Sequence, residues 1–281
     1  MANIYNFNHF NDLNSFNTIE LILLSLLFLS IGSLTSLVIY RLSPHSSEKI
    51  NLFFPRSFCP NCNKSIQLIF LIPLIGYLLQ KGICKSCKSK ISIFYPVTEL
   101  IFFLMGIYLI FLYGISEYSL FLFLIFTFFY ILFFLDLKFY FLPISINILL
   151  ILSGFVSNYF FYIFIDEQLY LFNISALSFS LYGFIIGYMF LWVVNFIFKS
   201  IYNKDGIGGG DFILFGAIGS IFGPVSLPLI LFLGSLLGCM SYIFYKDKFK
   251  EGLPLGSFLI LGSLFYFIFK NSELLGFSIV I

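Results

Sequence analysis

Long runs of apolar residues alternate with short polar connections along most of the chain. About 20 apolar residues is the length that an α-helix needs to cross the hydrocarbon core of a bilayer. The pattern therefore predicts eight helices, over residues 19–40, 93–113, 119–135, 144–165, 174–198, 211–222, 225–245 and 254–269. The sixth is short for a span and is followed by Gly223-Pro224, so we expect it to be tilted, broken or partly re-entrant.

The composition agrees with this pattern and excludes a soluble domain. Hydrophobic residues make up 60% of the 281 residues and charged residues only 10%, whereas about a quarter of a soluble domain is charged. The chain is therefore predicted to be an all-α polytopic membrane protein whose surroundings are the lipid bilayer. The net charge of +2 gives no indication of a nucleic-acid partner.

The positions of the basic residues predict the topology. Fourteen of the 15 Lys and Arg residues fall on one side of the predicted helices, and Lys270 is the exception. By the positive-inside rule that side is cytoplasmic, and both termini face outward. Residues 1–18 carry no basic residue before the first apolar run, so we expect a retained anchor rather than a cleaved signal peptide. The predicted organisation is an outward N-terminus and first helix (1–42), a cytoplasmic loop (43–92) and a seven-helix membrane core (93–281).

The loop that follows the first span contains two C-x-x-C pairs, Cys59 with Cys62 and Cys84 with Cys87. Twenty-one residues separate the pairs, a spacing that resembles a zinc ribbon. Four thiolate ligands would make the metal structural, with no open position for a substrate water. The alternative is four reduced thiols or a redox pair, although a cytoplasmic location disfavours disulfides.

Two aspartates lie at the edges of apolar runs, where a carboxylate usually lines a cavity or a pathway. In the predicted topology, Asp136 and Asp211 both occupy cytoplasmic ends of spans and therefore lie at the same depth. Two carboxylates that share a water can act as general base and general acid in peptide hydrolysis. His9 and His45 fall on opposite sides of the membrane, and no H-E-x-x-H or G-x-S-x-G pattern occurs. Paired carboxylates are thus the hydrolytic mechanism that the sequence supports.

Three glycines, Gly208, Gly209 and Gly210, directly precede Asp211. Glycines remove side chains where the extended backbone of a substrate has to come close, and they permit positive φ angles at a tight entry to a helix. We therefore predict that this tract binds substrate. A flexible loop or a close contact between helices is the alternative explanation.

Several segments follow one another in an order typical of one family. They are residues 32–42, 55–59, 72–78, 81–84 and 91–99, then Asp136-Leu137 through Leu142-Pro143, and Gly208-Gly209-Gly210-Asp211 as a Gly-x-Gly-Asp motif. Over nearly its whole length, the chain resembles the type IV prepilin peptidases. These bacterial leader peptidases also methylate the new N-terminus.

The resemblance implies a bifunctional enzyme with Asp136 and Asp211 as its catalytic residues. It implies cleavage after a Gly in the short basic leader of prepilin or pseudopilin precursors, at the cytoplasmic face of the bacterial inner membrane. It further implies N-methylation with S-adenosylmethionine as the methyl donor. A pocket for that donor would have to lie between the cysteine loop and the helix ends, and the sequence does not name its residues.

The chain departs from the family pattern at Ile144, Ile213 and Ser257, where the family often has an acid or amide, a Lys and a Pro. None of these changes removes a catalytic carboxylate, and we expect Ser257 to be tolerated. Four acids are candidate contacts for a basic leader: Glu48, Glu99, Asp205 and Glu251. Glu99 has an alternative role, which is to stabilise the positive end of a helix.

Three other functions use the same features. The two aspartates of a transporter or channel would carry protons or cations. An intramembrane protease of the presenilin type also has a Gly-x-Gly-Asp motif, but it has no use for a zinc-ribbon-like loop. A zinc-stabilised scaffold without catalysis has no use for two acids at one membrane edge. Incubation with a prepilin, followed by mass measurement of the product, would separate these possibilities.

Overall fold

The computed structural model describes residues 18–44, 54–161, 175–245 and 252–270. Within these ranges the chain is helical, apart from its connections and two isolated antiparallel β-bridges. The described helices are α1 (Thr18–Leu42), α2 (Ile75–Leu79), α3 (Phe94–Tyr113), α4 (Glu117–Phe139), α5 (Ile144–Phe161), α6 (Ala176–Tyr202), α7 (Gly209–Phe222), α8 (Leu227–Tyr245) and α9 (Leu255–Lys270). A 3-10 turn over Leu68–Leu71 precedes α2.

These helices confirm the prediction of an all-α polytopic membrane protein. Six of the described helices are long and apolar enough to cross a bilayer, and α7 and α9 are shorter apolar helices. Together they account for the eight predicted spans. Helix α4 continues to Phe139, beyond the predicted end at residue 135, so Asp136 lies within the helix. The outward orientation was predicted for the two chain termini, and both termini lie outside the described residues.

The chain forms two compact units, Met1–Thr127 and Phe128–Ile281, and the boundary between them falls within α4. This division differs from the three segments predicted above, which stay a prediction. The candidate catalytic acids Asp136 and Asp211 both belong to the second unit, whereas the four cysteines of the loop belong to the first.

In the first unit, two glycines allow α1 and α3 to pack closely. A side chain at Gly32 would come within 2.9 Å of the Glu99 Cα and the Phe102 Cβ, and one at Gly106 would overlap the ring of Phe28. The rings of Phe28 and Phe123 lie 4.7 Å apart between their centroids. Small residues at a helix contact bring the two backbones together, and here they place Glu99 directly beside α1.

In the second unit, α7 is the buried helix. Ten of its 14 residues are buried, and at about 1.5 Å per residue it is too short to cross a bilayer of about 30 Å. The helix is nevertheless continuous from Gly209 to Phe222, so the break considered above does not occur within it. Gly223, the residue that follows the end of α7, has a φ of 81°.

Glycine contacts and one asparagine hold the helices of the second unit together. Gly183 of α6 and Gly219 of α7 meet backbone to backbone, so a Cβ on either would overlap the other's carbonyl oxygen. A Cβ at Gly262 of α9 would meet the Ile230 carbonyl oxygen and the Gly234 backbone of α8, and one at Gly234 would meet the Phe258 carbonyl oxygen of α9. The Nδ2 group of Asn158, in α5, lies within 2.9–3.0 Å of the Ser180 hydroxyl and of two carbonyl oxygens near the end of α7. This amide joins α5, α6 and α7.

Candidate active site

The two predicted catalytic acids lie at neighbouring helix ends. Asp136 is in the last turn of α4 and is only 5% exposed. Asp211 is in the first turn of α7 and is half-buried. The start of α9, which carries Gly256 and Ser257, lies beside both acids. Three helix ends therefore meet at the candidate site.

The position of Gly256 measures how close the two carboxyl groups are. A Cβ added to this glycine would lie 3.1 Å from Oδ2 of Asp136 and 3.1 Å from Oδ1 of Asp211. The separation of the two oxygens therefore cannot exceed twice that distance. A single water can contact both groups at such a separation. Gly256 was not among the site residues predicted from the sequence.

Asp136 accepts two hydrogen bonds from Ser257. The backbone N–H of Ser257 donates to Oδ2 at 2.6 Å, and the Ser257 hydroxyl lies 2.9 Å from the same oxygen. Ser257 is the third residue of α9, and N–H groups in a first helical turn have no partner within the helix. A carboxylate satisfies such a donor and is favoured by the positive end of the helix. These bonds fix the position of the Asp136 carboxyl group against the start of α9.

Asp211 has different surroundings. Its Oδ1 atom is buried and has no hydrogen-bond partner among the described residues. The amide groups of Gly208 and Gly256 lie near its carboxyl group. A buried polar atom without a partner is uncommon and indicates strain or a chemical role. The two acids therefore differ, because donors surround Asp136 whereas one oxygen of Asp211 is left for another group.

The three glycines of the predicted substrate tract are not equivalent. A side chain at Gly210 would come within 2.9 Å of the Leu142 Cβ, and one at Gly208 within 3.2 Å of Oδ2 of Asp211. Nothing lies within 4 Å of the corresponding position at Gly209, which faces open space. Gly208 has a φ of −70°, and none of the three has positive φ. The expectation that the helix entry needs positive φ is therefore wrong, because the chain enters α7 from ordinary extended backbone.

Asn195, in α6, organises the loop before α7 and was missed in the sequence. Its Oδ1 atom accepts hydrogen bonds from the N–H groups of Gly206 and Ile207, at 2.9 and 3.0 Å. Its Nδ2 group donates to Asp205 at 3.1 Å. A lone asparagine in an apolar run gives no signal of this role. By fixing the loop, Asn195 sets the point from which α7 and Asp211 begin.

The acids considered as leader contacts are placed differently from one another. Glu99 is 6% exposed and accepts a hydrogen bond from the Leu74 N–H at 2.7 Å, so it does not face solvent. Asp205 is exposed and forms an ion pair with Lys199 at 3.0 Å. The hydrogen bond from Lys199, and then that from Asn195, lowers the pKa of Asp205 from its usual value of 3.8. Asp205 therefore stays ionised above that pH and loses these bonds only as pH falls through its lowered pKa. Glu48 and Glu251 lie outside the described residues.

The three departures from the family pattern have separate locations. Ile144 is 60% exposed at the start of α5, and Ile213 is half-buried in α7. Ser257 is fully buried, and both of its donors reach Asp136. A proline at this position could supply neither bond, since it has no N–H and no hydroxyl. The serine is thus a specific support for one of the two acids.

The four cysteines of the loop converge on one point. The sulfur atoms of Cys59, Cys62, Cys84 and Cys87 all lie within 4.8 Å of one another. The two knuckles repeat one turn, because the N–H of the first cysteine donates to the carbonyl five residues later, at 3.0 Å for Cys59 and 2.8 Å for Cys84. Such a cluster can hold a metal ion such as zinc in a tetrahedral site.

The thiols also affect one another electrostatically. A hydrogen bond from the Ser89 hydroxyl is the main reason that the pKa of Cys87 is lowered to about 6. The Lys64 amide lowers the pKa of Cys62, but burial and the thiols of Cys87 and Cys59 outweigh it and raise that pKa to about 11. Neighbouring thiolates repel each other, so all four sulfurs ionise together only with a cation between them.

The fold and the paired carboxylates define the class of protein, a polytopic membrane protein with a two-aspartate site at converging helix ends. Comparison with known families specifies this further. Residues 26–113 match the bacterial peptidase A24 N-terminal domain, and residues 121–243 match the type IV leader peptidase family. The chain belongs to the type IV leader peptidase family.

Individual relatives agree with that membership. A prepilin leader peptidase/N-methyltransferase of Neisseria gonorrhoeae is 31% identical over 233 residues, which cover 76% of this chain and 78% of the relative. Proteins of the same name from Aeromonas salmonicida and Legionella pneumophila are each 29% identical and cover 86% of this chain, with 88% and 89% of the respective relative. The comparison with solved structures found no match. The chain is thus an enzyme, and the transporter alternative is not supported.

Proposed function

We propose that this enzyme cleaves the basic leader of type IV prepilins or pseudoprepilins and then N-methylates the new N-terminus. The observation that carries the proposal is the approach of Asp136 Oδ2 and Asp211 Oδ1 to a common point at Gly256. The names of the relatives support the same pair of activities. The proposed location is the bacterial inner membrane, with both chain termini outward and the acids at the cytoplasmic face.

The surroundings of the two acids suggest how they divide the work. Asp136, with two donors on Oδ2, is the carboxylate that removes a proton from the attacking water. The water oxygen bonds to the carbonyl carbon of the scissile peptide, and Asp211 donates its proton as the carbonyl oxygen takes up negative charge. When the C–N bond breaks, the proton held by Asp136 passes to the leaving amine, and one O–H proton of the gem-diol returns to Asp211 as the new carboxyl group forms. No proton is gained or lost over the reaction.

The glycine tract has a role in this scheme as the surface on which the substrate backbone lies. Gly209 has open space where a side chain would lie, so an extended peptide can approach it there. The neighbouring Asp211 then lies within reach of the scissile bond. This arrangement requires the substrate to enter at the end of the bundle where α7 begins. The basic leader would remain on the cytoplasmic side, and the apolar pilin helix would lie in the bilayer.

Two further groups belong to the proposal. Cys59, Cys62, Cys84 and Cys87 would hold a structural zinc ion, since four sulfur ligands fill its coordination sphere. S-adenosylmethionine supplies the methyl group when it is bound. The residues of the chain contribute the binding and orientation of that donor and of the new amine.

Conservative substitution of each acid tests the peptidase function. Asp136→Asn and Asp211→Asn keep the size of each side chain but remove its ability to exchange a proton. We expect each variant to lower the initial rate of leader cleavage at least about a hundredfold. Purified prepilin in detergent is the substrate, and mass measurement of the product gives the rate.

Glu117→Gln is the matched control, since it changes an exposed acid at the opposite end of α4. This variant should cleave at the wild-type rate. If either aspartate variant also cleaved at the wild-type rate, the two-carboxylate mechanism would be wrong.

A further inference from the structure

The first unit contains a cavity of about 340 Å³ between α1, the start of α3 and the cysteine loop. Sites for small molecules usually have volumes of about 300–1,000 Å³, so this cavity is large enough for one such ligand. Its walls combine apolar side chains with a few polar groups. That combination is typical of a site which buries a ligand and fixes its orientation.

One basic and one acidic side chain line the cavity and are buried. Glu99 is 6% exposed and Arg41 is 7% exposed. Burying a charged group costs free energy unless other groups compensate for the lost hydration. Nη2 of Arg41 donates to the Pro55 carbonyl at 2.5 Å, which ties the end of α1 to the loop. The cavity therefore offers the Arg41 guanidinium and the Glu99 carboxyl group, both held in place, to one ligand.

The surrounding backbone is shaped to hold Glu99 in this place. Gly32 lets α3 approach α1 so closely that any side chain there would meet the Glu99 Cα. Leu74 has a φ of 58°, an uncommon conformation for a branched residue, and its N–H donates to Oε2 of Glu99. Strained backbone of this kind is often found at ligand sites. A carboxylate has about four acceptor positions, so Glu99 can bind a ligand while it keeps this bond.

Aromatic rings complete the cavity. Tyr40, at the end of α1, and Tyr95, at the start of α3, both line it. Aromatic faces stack on heterocyclic bases, and they attract cations that carry alkyl groups. A purine and a sulfonium ion both satisfy these preferences.

We propose that this cavity binds S-adenosylmethionine, with Arg41 binding the carboxylate of its amino-acid portion and Glu99 binding the ribose hydroxyl groups. Planar guanidinium groups suit carboxylates, and acidic side chains bind ribose hydroxyls in other nucleotide sites. The inference rests on the proposed methyltransferase function and names its donor site. It places that site in the first unit, whereas Asp136 and Asp211 belong to the second.

Direct binding of S-adenosylmethionine to the full-length protein in detergent tests this inference. We expect Glu99→Gln and Arg41→Gln each to weaken binding by about ten- to a hundredfold, because each loses a hydrogen bond to a charged group. Glu117→Gln is the control, since it changes an acid of the same unit that does not line the cavity. Retained leader cleavage in each variant would show that the protein is folded.

The possible results separate the two proposals. If the wild-type protein binds no S-adenosylmethionine, the proposed methyltransferase function fails. If the wild type binds but both cavity variants bind equally well, only the assignment of the site is overturned.

Ultraviolet crosslinking of radiolabelled S-adenosylmethionine to the wild-type protein gives a test that needs no variant. Labelled peptides within residues 33–99 are the expected result. Labelling confined to residues 128–281 would overturn the site.

Discussion

Ser257 gives the sharpest test of how the two acids differ. Replacing it with alanine removes the hydroxyl that lies 2.9 Å from Oδ2 of Asp136 but keeps the backbone N–H bond of 2.6 Å. Replacing it with proline removes both donors. The position lies in the first turn of α9, where proline is tolerated in a helix. The two variants therefore remove the donors to Asp136 one after the other.

The size of the effect follows from these bonds. A hydrogen bond to a charged group contributes about 1.5–3 kcal/mol, and each 1.4 kcal/mol of lost transition-state stabilisation lowers the rate about tenfold. The Ser257 hydroxyl is also 3.0 Å from the Phe133 carbonyl, so its single hydrogen is shared between two acceptors. We therefore expect a loss in kcat of about tenfold for Ser257→Ala and about a hundredfold for Ser257→Pro. The KM should be unchanged, because Ser257 supports Asp136 and does not bind the substrate.

The assay is steady-state cleavage of purified prepilin over a range of substrate concentrations. Ser263→Ala is the matched control, since the hydroxyl of this buried serine of the same helix donates to the Ile260 carbonyl within α9. A kcat for Ser257→Pro within twofold of both the wild type and this control would refute the role given to the two donors. A rise in KM with unchanged kcat would also refute it.

Four other changes have defined outcomes. Gly209→Ala adds a methyl group in open space, so the thermal midpoint of unfolding should stay the same while the KM for prepilin rises several-fold. An unchanged KM would show that Gly209 is not part of the substrate-binding surface. Gly256→Ala places a carbon 3.1 Å from both acids, and cleavage should fall at least about a hundredfold, measured against Gly209→Ala. Asn195→Ala frees two loop N–H groups, so kcat should fall about tenfold at pH 7, and wild-type cleavage would contradict its loop role. Chelation should release one zinc ion per chain and lower the thermal midpoint, and elemental analysis that finds no metal would contradict the zinc site.

The sequence predicted the helices of the membrane region well, because apolar runs of a given length have few alternatives in a bilayer. It missed the 3-10 turn Leu68–Leu71 and the short helix α2, which together are too short to give a periodic signal. The spacing of the four cysteines predicted their convergence, since each pair forms a local turn. The close approach of α6 and α7 at Gly183 and Gly219 depends on tertiary packing that no local pattern records.

The support around the two acids could not be predicted from local patterns. Asp136 and Ser257 are 121 positions apart, and only the packing of α4 against the start of α9 brings them together. Ser257 was predicted to be a tolerated replacement, because that prediction rested on the proline that the family often has at this position. In the structure, Ser257 donates two hydrogen bonds to Asp136 that a proline could not donate. Asn195 was missed for a related reason. It accepts hydrogen bonds from backbone N–H groups, which almost every residue has, so no residue type in the sequence marks them as its partners.

The two acids are carried by different pairs of closely packed helices. Gly183 and Gly219 bring α6 and α7 into backbone contact, and Gly262 brings α9 against the backbone of α8. Asp211 belongs to α7, whereas Asp136 accepts two hydrogen bonds from Ser257 of α9. A movement of one helix pair against the other would therefore change the separation of the two carboxyl groups.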